Sequence, residues 1–137
     1  LMEDEIKMRD TIIIIVIIAV ILGGDIVTKQ YLDRTSADLK EKLENLKENT
    51  KLAKTTGNRE QIKSNMEEIE AKWNDINKTW SIIVVHQELD NIEQALTKAK
   101  SSINDGKLED ALQEIETSIF FVQHVKEREK LSLKNIF

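Results

Sequence analysis

Residues 12–22 read Ile-Ile-Ile-Ile-Val-Ile-Ile-Ala-Val-Ile-Leu, with no polar side chain among them. A run that is apolar on all sides offers no face to water, so it belongs either inside protein or in lipid. Thr11 to Val27 is 17 residues, about 25 Å as an α-helix and at the short end of what crosses roughly 30 Å of hydrocarbon. Counting on to Tyr31 makes the span comfortable. It also places Asp25 near the interface and Tyr31 at the headgroups. A cleaved signal peptide would want small residues at the −3 and −1 positions, where Ile21 or Leu22 falls. A core helix would need protein on every side. The sequence therefore predicts an uncleaved single-pass anchor over residues 11–31. Residues 1–10 are then a cytoplasmic segment and residues 32–137 an extracytoplasmic α-helical domain. Counting Lys7 and Arg9 against Lys29, Arg34, Lys40 and Lys42 would point the domain inward. That rule weakens when the following domain is long, and an anchor this close to the start inserts with its N-terminus inside. Met8-Arg9 reads as the native start, with residues 1–7 an upstream extension.

The remainder is one small domain. The 137 residues include no Pro and 4 Gly, too few turn residues for a sandwich, a barrel or a βαβ fold. No Cys is present, which excludes disulfides, cysteine zinc sites and iron–sulfur clusters. The formal charge is −5, unevenly spread. Residues 29–63 hold 9 basic and 6 acidic groups, residues 64–116 hold 5 and 12, and residues 117–137 hold 4 and 2. No basic face of the kind that neutralises phosphates stands out, so nucleic acid is not an expected partner. A basic first helix and an acidic middle can instead pack as neighbours with complementary edges.

Leu39, Leu43, Leu46, Thr50 and Ala53 are spaced 4-3-4-3, and Ile62, Met66, Ile69, Trp73, Ile76, Trp80 and Ile83 continue the pattern. Leu89, Ile92, Leu96, Ala99 and Ile103 carry it on. Leu108, Ala111, Leu112, Ile115, Ile119, Val122 and Val125 complete it. Thr35 with Asp38 reads as a capping box. Gly57-Asn58 and Asn104-Asp105-Gly106 read as turns, with Gly57 closing one helix and Asn58 capping the next. The two turns are 49 residues apart, which hints at a repeated helical hairpin. The tail from Leu131 to Phe137 is half apolar. The fold class is all-α: an N-terminal transmembrane helix, then an up-down bundle of about four helices that turns near Asn77 to Ser81. In that bundle Ile82-Ile83-Val84-Val85 is buried on several sides. The alternative is three helices, with residues 58–104 forming one long central helix.

His86, Asp90 and Glu93 stand at i, i+4 and i+7 and share one helix face. With His124 from another helix they could approach a cation, although no Glu-x-x-His motif is present. The plainer reading is a polar network or a solvated face, so no metal and no cofactor is expected. Trp73 and Trp80 lie on the apolar stripe and read as core, with an aromatic ligand or partner face as the sharper reading. Phe120 and Phe121 cannot both face one core. Glu67, Glu68 and Glu70 read as a solvated face. No nucleophile elbow, phosphate loop or His-Glu-x-x-His occurs, and catalysis is not expected.

Trp73, Trp80-Ser81, His86-x-Glu88-x-Asp90-Asn91-Ile92-Glu93, Ala111-Leu112 and the ending Leu131-Ser132-Leu133-Lys134-Asn135-Ile136-Phe137 follow a short membrane segment. Together they resemble the bacterial family called domain of unknown function 4363, from Met8 onward. The resemblance implies a membrane-anchored helical protein and supplies no substrate. The expected role is binding, as an accessory or scaffold for another membrane or envelope protein, with the lipid bilayer as a further partner and homo-oligomers allowed. Gly23-Gly24 and Asp25 could serve helix–helix contact within the membrane. Two other readings are an extracytoplasmic ligand or metal sensor using His86, Asp90 and Glu93, and a coiled-coil subunit of the cell-division type.

Overall fold

The computed structural model describes the backbone of residues 2–136 and the side chains of residues 2–128. Among the described residues there are four helices and no strand: α1 (Met2–Thr56), α2 (Glu60–Ile83), α3 (His86–Asn104) and α4 (Leu108–Ile136). The chain divides into two compact units, Leu1–Leu32 and Asp33–Phe137.

The first unit is the leading part of α1. Its apolar run is helical throughout, and none of its side chains is buried. One stretch of 18 residues has a mean hydropathy of 2.7 with none of it covered by protein, so this helix is long and apolar enough to cross a membrane. The Thr11 hydroxyl donates to the Lys7 carbonyl at 2.8 Å, which satisfies a polar group without water. A Cβ added at Gly23 or Gly24 would meet open space.

The second unit is a four-helix bundle in up-down-up-down order. Cross-links between helices fix the order. Lys72–Asp38 at 3.1 Å joins α2 to α1, and Lys100–Glu70 at 2.9 Å joins α3 to α2. Arg128–Glu88 at 2.9 Å joins α4 to α3, while Lys47–Glu116 at 3.3 Å and Lys54–Glu109 at 2.8 Å join α1 to α4. The basic flank of α1 thus meets the acidic start of α4. The Lys54 ammonium, by its hydrogen bond first and its charge second, holds the Glu109 carboxyl below its usual range. Exposed pairs of this kind contribute little to stability. They select neighbours, while the apolar stripes supply the stability.

The stripes form the core in register. Leu39, Leu43, Leu46, Ile62, Ile92 and Ile115 are wholly buried, with Ile69, Ile76, Ile103, Val122 and Val125 nearly so. Leu108 and Leu112 are half-buried, at the margin of the α4 stripe. Phe121 is half-buried and Phe120 exposed, as their adjacency demanded. Thr50 and Ser118 also lie in the core; each hydroxyl donates to the carbonyl four residues back, Leu46 at 2.6 Å and Glu114 at 2.8 Å. The side chains of the tail from Leu131 lie outside the described residues.

Two turns close one end of the bundle. Gly57 has φ +74° and Gly106 φ +75°, and Gly57 donates to the Ala53 carbonyl at 2.8 Å. The Asn58 carboxamide oxygen accepts the Glu60 N–H at 3.1 Å within the turn, but the N-cap position of α2 is Arg59, one residue later than expected, and it carries no side-chain cap bond. A Cβ at Gly106 would lie 2.5 Å from Arg59 Nη1, which places the two turns side by side. A left-handed residue with a Cβ costs about 1–2 kcal/mol. Gly57→Ala and Gly106→Ala are each expected to lower the unfolding free energy by about that amount, read from the urea midpoint at unchanged slope.

The third turn departs from expectation. The break between α2 and α3 falls at Val84 and Val85, later than Asn77 to Ser81, and a single long central helix is excluded. Val84 is extended (φ −117°, ψ 145°), as is Val85 (φ −62°, ψ 133°). α2 thus ends at a two-residue turn that contains neither Gly nor Pro. Ile82 and Ile83 are the last residues of α2, and Val84-Val85 is the turn itself. Val84 is buried and Ile83 half-buried, while Ile82 is 82% and Val85 55% exposed. Thr35 is likewise no capping residue, because α1 runs through it without interruption. It lies four residues before Leu39, on the buried stripe.

Candidate interaction surfaces

The residues singled out in the sequence separate into a core group and a surface group. Trp73 and Trp80 are buried, their rings edge to face at 5.9 Å and 89°. The Trp80 indole N–H donates to the Thr35 hydroxyl at 2.9 Å, which ties the end of α2 to α1 across 45 positions. The Trp73 Nε1 is buried without a partner. These rings pack the core, so they form no exposed aromatic cage.

His86, Asp90 and Glu93 are exposed on α3, as their spacing implied. Beside them Gln87 donates to Asn91 at 3.2 Å. His124 is on α4 and stacks on Phe120, with ring centroids 5.8 Å apart and planes 10° apart. Among the described residues no group of three His, Asp or Glu side chains is placed to hold a metal ion.

Glu88, named above only among the residues that carry the family resemblance, is buried. The available signal was its position four residues before Ile92, on the apolar stripe. Its Oε1 accepts from Arg128 Nη1 at 2.9 Å, and its Oε2 is buried without a partner. A buried carboxylate held by one half-solvated guanidinium is asymmetric in energy. Arg128→Ala leaves the charge without that partner and is expected to cost about 1–3 kcal/mol. Glu88→Met removes the buried charge and is expected to be neutral or stabilising. Paired thermal melts of the two variants check this.

Two features of the bundle surface stand out. Phe120 is 60% exposed, and its ring touches both Phe121 and His124. A groove of about 550 Å³ runs between α1 and α4, where the small Ser36 and Ala37 face Val122 and Gln123, with Lys40 and Lys126 at its sides. Adjacency in the sequence required one of Phe120 and Phe121 to face outward without deciding which. The groove depends on which helices become neighbours, which spacing alone does not give.

An uncovered apolar helix ahead of a four-helix bundle defines a class of small helical proteins without a recognisable catalytic constellation among the described residues. The chain belongs to the family described as Domain of unknown function (DUF4363), whose model matches residues 26–136. The match contains the Trp73 to Glu93 block and begins after the apolar run, later than the Met8 at which the resemblance was placed. Neither the curated proteins nor the solved structures offer a match.

Proposed function

We propose that this is a single-pass membrane protein whose helical bundle is an interaction module, an accessory or scaffold for another membrane or envelope protein. The N-terminus is cytoplasmic and the bundle extracytoplasmic. One observation carries the reading: the apolar run over residues 12–22 is helical and protein covers none of it. In water each such side chain forgoes about 1 kcal/mol or more, and lipid is the environment that removes this cost. The bundle supports the binding role, because its exposed Phe120–His124 stack and its α1–α4 groove offer contact surface without convergent reactive groups.

The test is photo-crosslinking in membranes. The full chain carries a photoreactive residue at Phe120 or, separately, at Ala37 in the groove. The proposal expects the protein to stay in membranes washed with alkaline carbonate and to form a discrete heavier adduct from at least one position. Release into the wash contradicts the anchor. Retention without an adduct from either position contradicts the interaction role.

A further inference from the structure

The two ends of the bundle differ in chemistry. At one end lie the turns Gly57-Asn58-Arg59 and Asp105-Gly106-Lys107, polar and charged. At the other end lies Val84-Val85, flanked by Ile82, with no Asp, Glu, Lys or Arg from Thr79 to Gln87. Ile82 and Val85 are the exposed large apolar side chains of this turn, at 82% and 55%. Of the other exposed large apolar side chains of the bundle, Leu52 follows Lys51 near the Gly57 end and Phe120 lies within α4.

The α2–α3 turn lies at the end where the chain enters the bundle, an end that also carries Asp33 and Arg34 of α1 and the Glu88–Arg128 pair. Trp80, two residues before Ile82, is hydrogen-bonded to Thr35. From Val27, the last residue of the apolar segment, to Thr35 is eight residues (35 − 27). Even fully extended, eight residues reach at most about 29 Å. Once residues 12–27 lie in a bilayer, the α2–α3 turn is confined near its surface, whereas the chain needs 22 further residues (57 − 35) to reach the Gly57 end. Uncharged, β-branched and held on a tight turn, Ile82 and Val85 suit shallow insertion among lipid headgroups and upper acyl chains.

We propose that the α2–α3 turn is a second lipid contact, with Ile82 and Val85 inserting into the leaflet next to the bundle. This rests on the anchored reading, and it gives the bundle a preferred end toward the membrane.

The chain has no Cys, so single cysteines can be labelled cleanly. Nitroxide labels are placed at Ile82→Cys, Val85→Cys, Asn58→Cys and Ile15→Cys, each in the full chain in vesicles of phosphatidylcholine with phosphatidylglycerol. Collision with oxygen, enriched in lipid, is compared with collision with a water-soluble nickel chelate. The proposal expects the oxygen-to-nickel ratio at 82 and 85 to exceed that at 58 severalfold, with 15 deeper still. If 15 is in lipid while 82 and 85 match 58, the second contact is overturned and the anchor stands. If 82 and 85 are shielded from both reagents, a protein covers the turn and the lipid assignment is overturned. If 15 itself reads as aqueous, the anchored reading fails first.

Discussion

Deleting residues 1–31 is expected to move the protein from the membrane pellet to the soluble fraction while its helical circular dichroism and cooperative melt persist. The second unit carries its own core, so nothing in its interior depends on the apolar run. The ten Ile, Val and Leu residues of 12–22 contribute about −0.3 to −0.6 kcal/mol each on an insertion scale, roughly −3 to −6 kcal/mol together. One Arg at the middle of the run costs about 2.5–3.5 kcal/mol and also removes an apolar side chain. Ile17→Arg in the full chain should therefore release much of the protein from alkaline-washed membranes. Ile17→Leu should release none. Equal retention of Ile17→Arg would show that something other than the apolar run holds the chain.

Trp80→Ala is expected to be the most damaging single change in the bundle. Its side chain is wholly buried, packs edge to face on Trp73, and bonds to Thr35 across the α1–α2 interface. Removing a buried Trp costs about 3–5 kcal/mol. For a domain of this size each kcal/mol moves the melting temperature by about 4–8 °C, so a fall of about 12 °C or more should be seen. Replacement by Phe separates the two indoles. Trp80→Phe loses a buried hydrogen bond worth about 1 kcal/mol. Trp73→Phe removes an N–H that has no partner and should cost less. If the two Phe variants melt alike, the Thr35 bond contributes nothing measurable.

Much of this fold was legible because burial and spacing agree. Leu39, Leu43 and Leu46, then Ile62 to Trp80, follow a 4-3 rhythm that a helix turns into one face, and those residues are buried. Gly57 and Gly106 announced their turns because positive φ suits a residue without Cβ. The α2–α3 break was misplaced because neither Gly nor Pro marks it and hydropathy alone reads the Ile82 to Val85 run as core. Thr35 resembled a cap because capping boxes and buried hydroxyls use the same residue types, and Trp80 as its partner was 45 positions away. The surface was less legible. The i, i+4, i+7 face of His86, Asp90 and Glu93 is exposed as its spacing implied. Which partner groups stand opposite is set by helix neighbours, and His124 stacks on Phe120 instead. Glu88 was missed because a charged residue on an apolar stripe reads as an interruption until Arg128 is found beside it.

The proposed topology is tested most directly by finding the side of the bilayer on which Glu3 and the bundle lie. Cysteines placed one at a time at Glu3, Asn58 and Asp105 in the full chain can be treated in intact cells with a maleimide that does not cross membranes. Labelling at 58 and 105 before lysis, with 3 labelled only after the membrane is opened, is the predicted pattern. Labelling at 3 in intact cells with 58 and 105 protected would invert the topology, and labelling at none until lysis would put the bundle inside the cell.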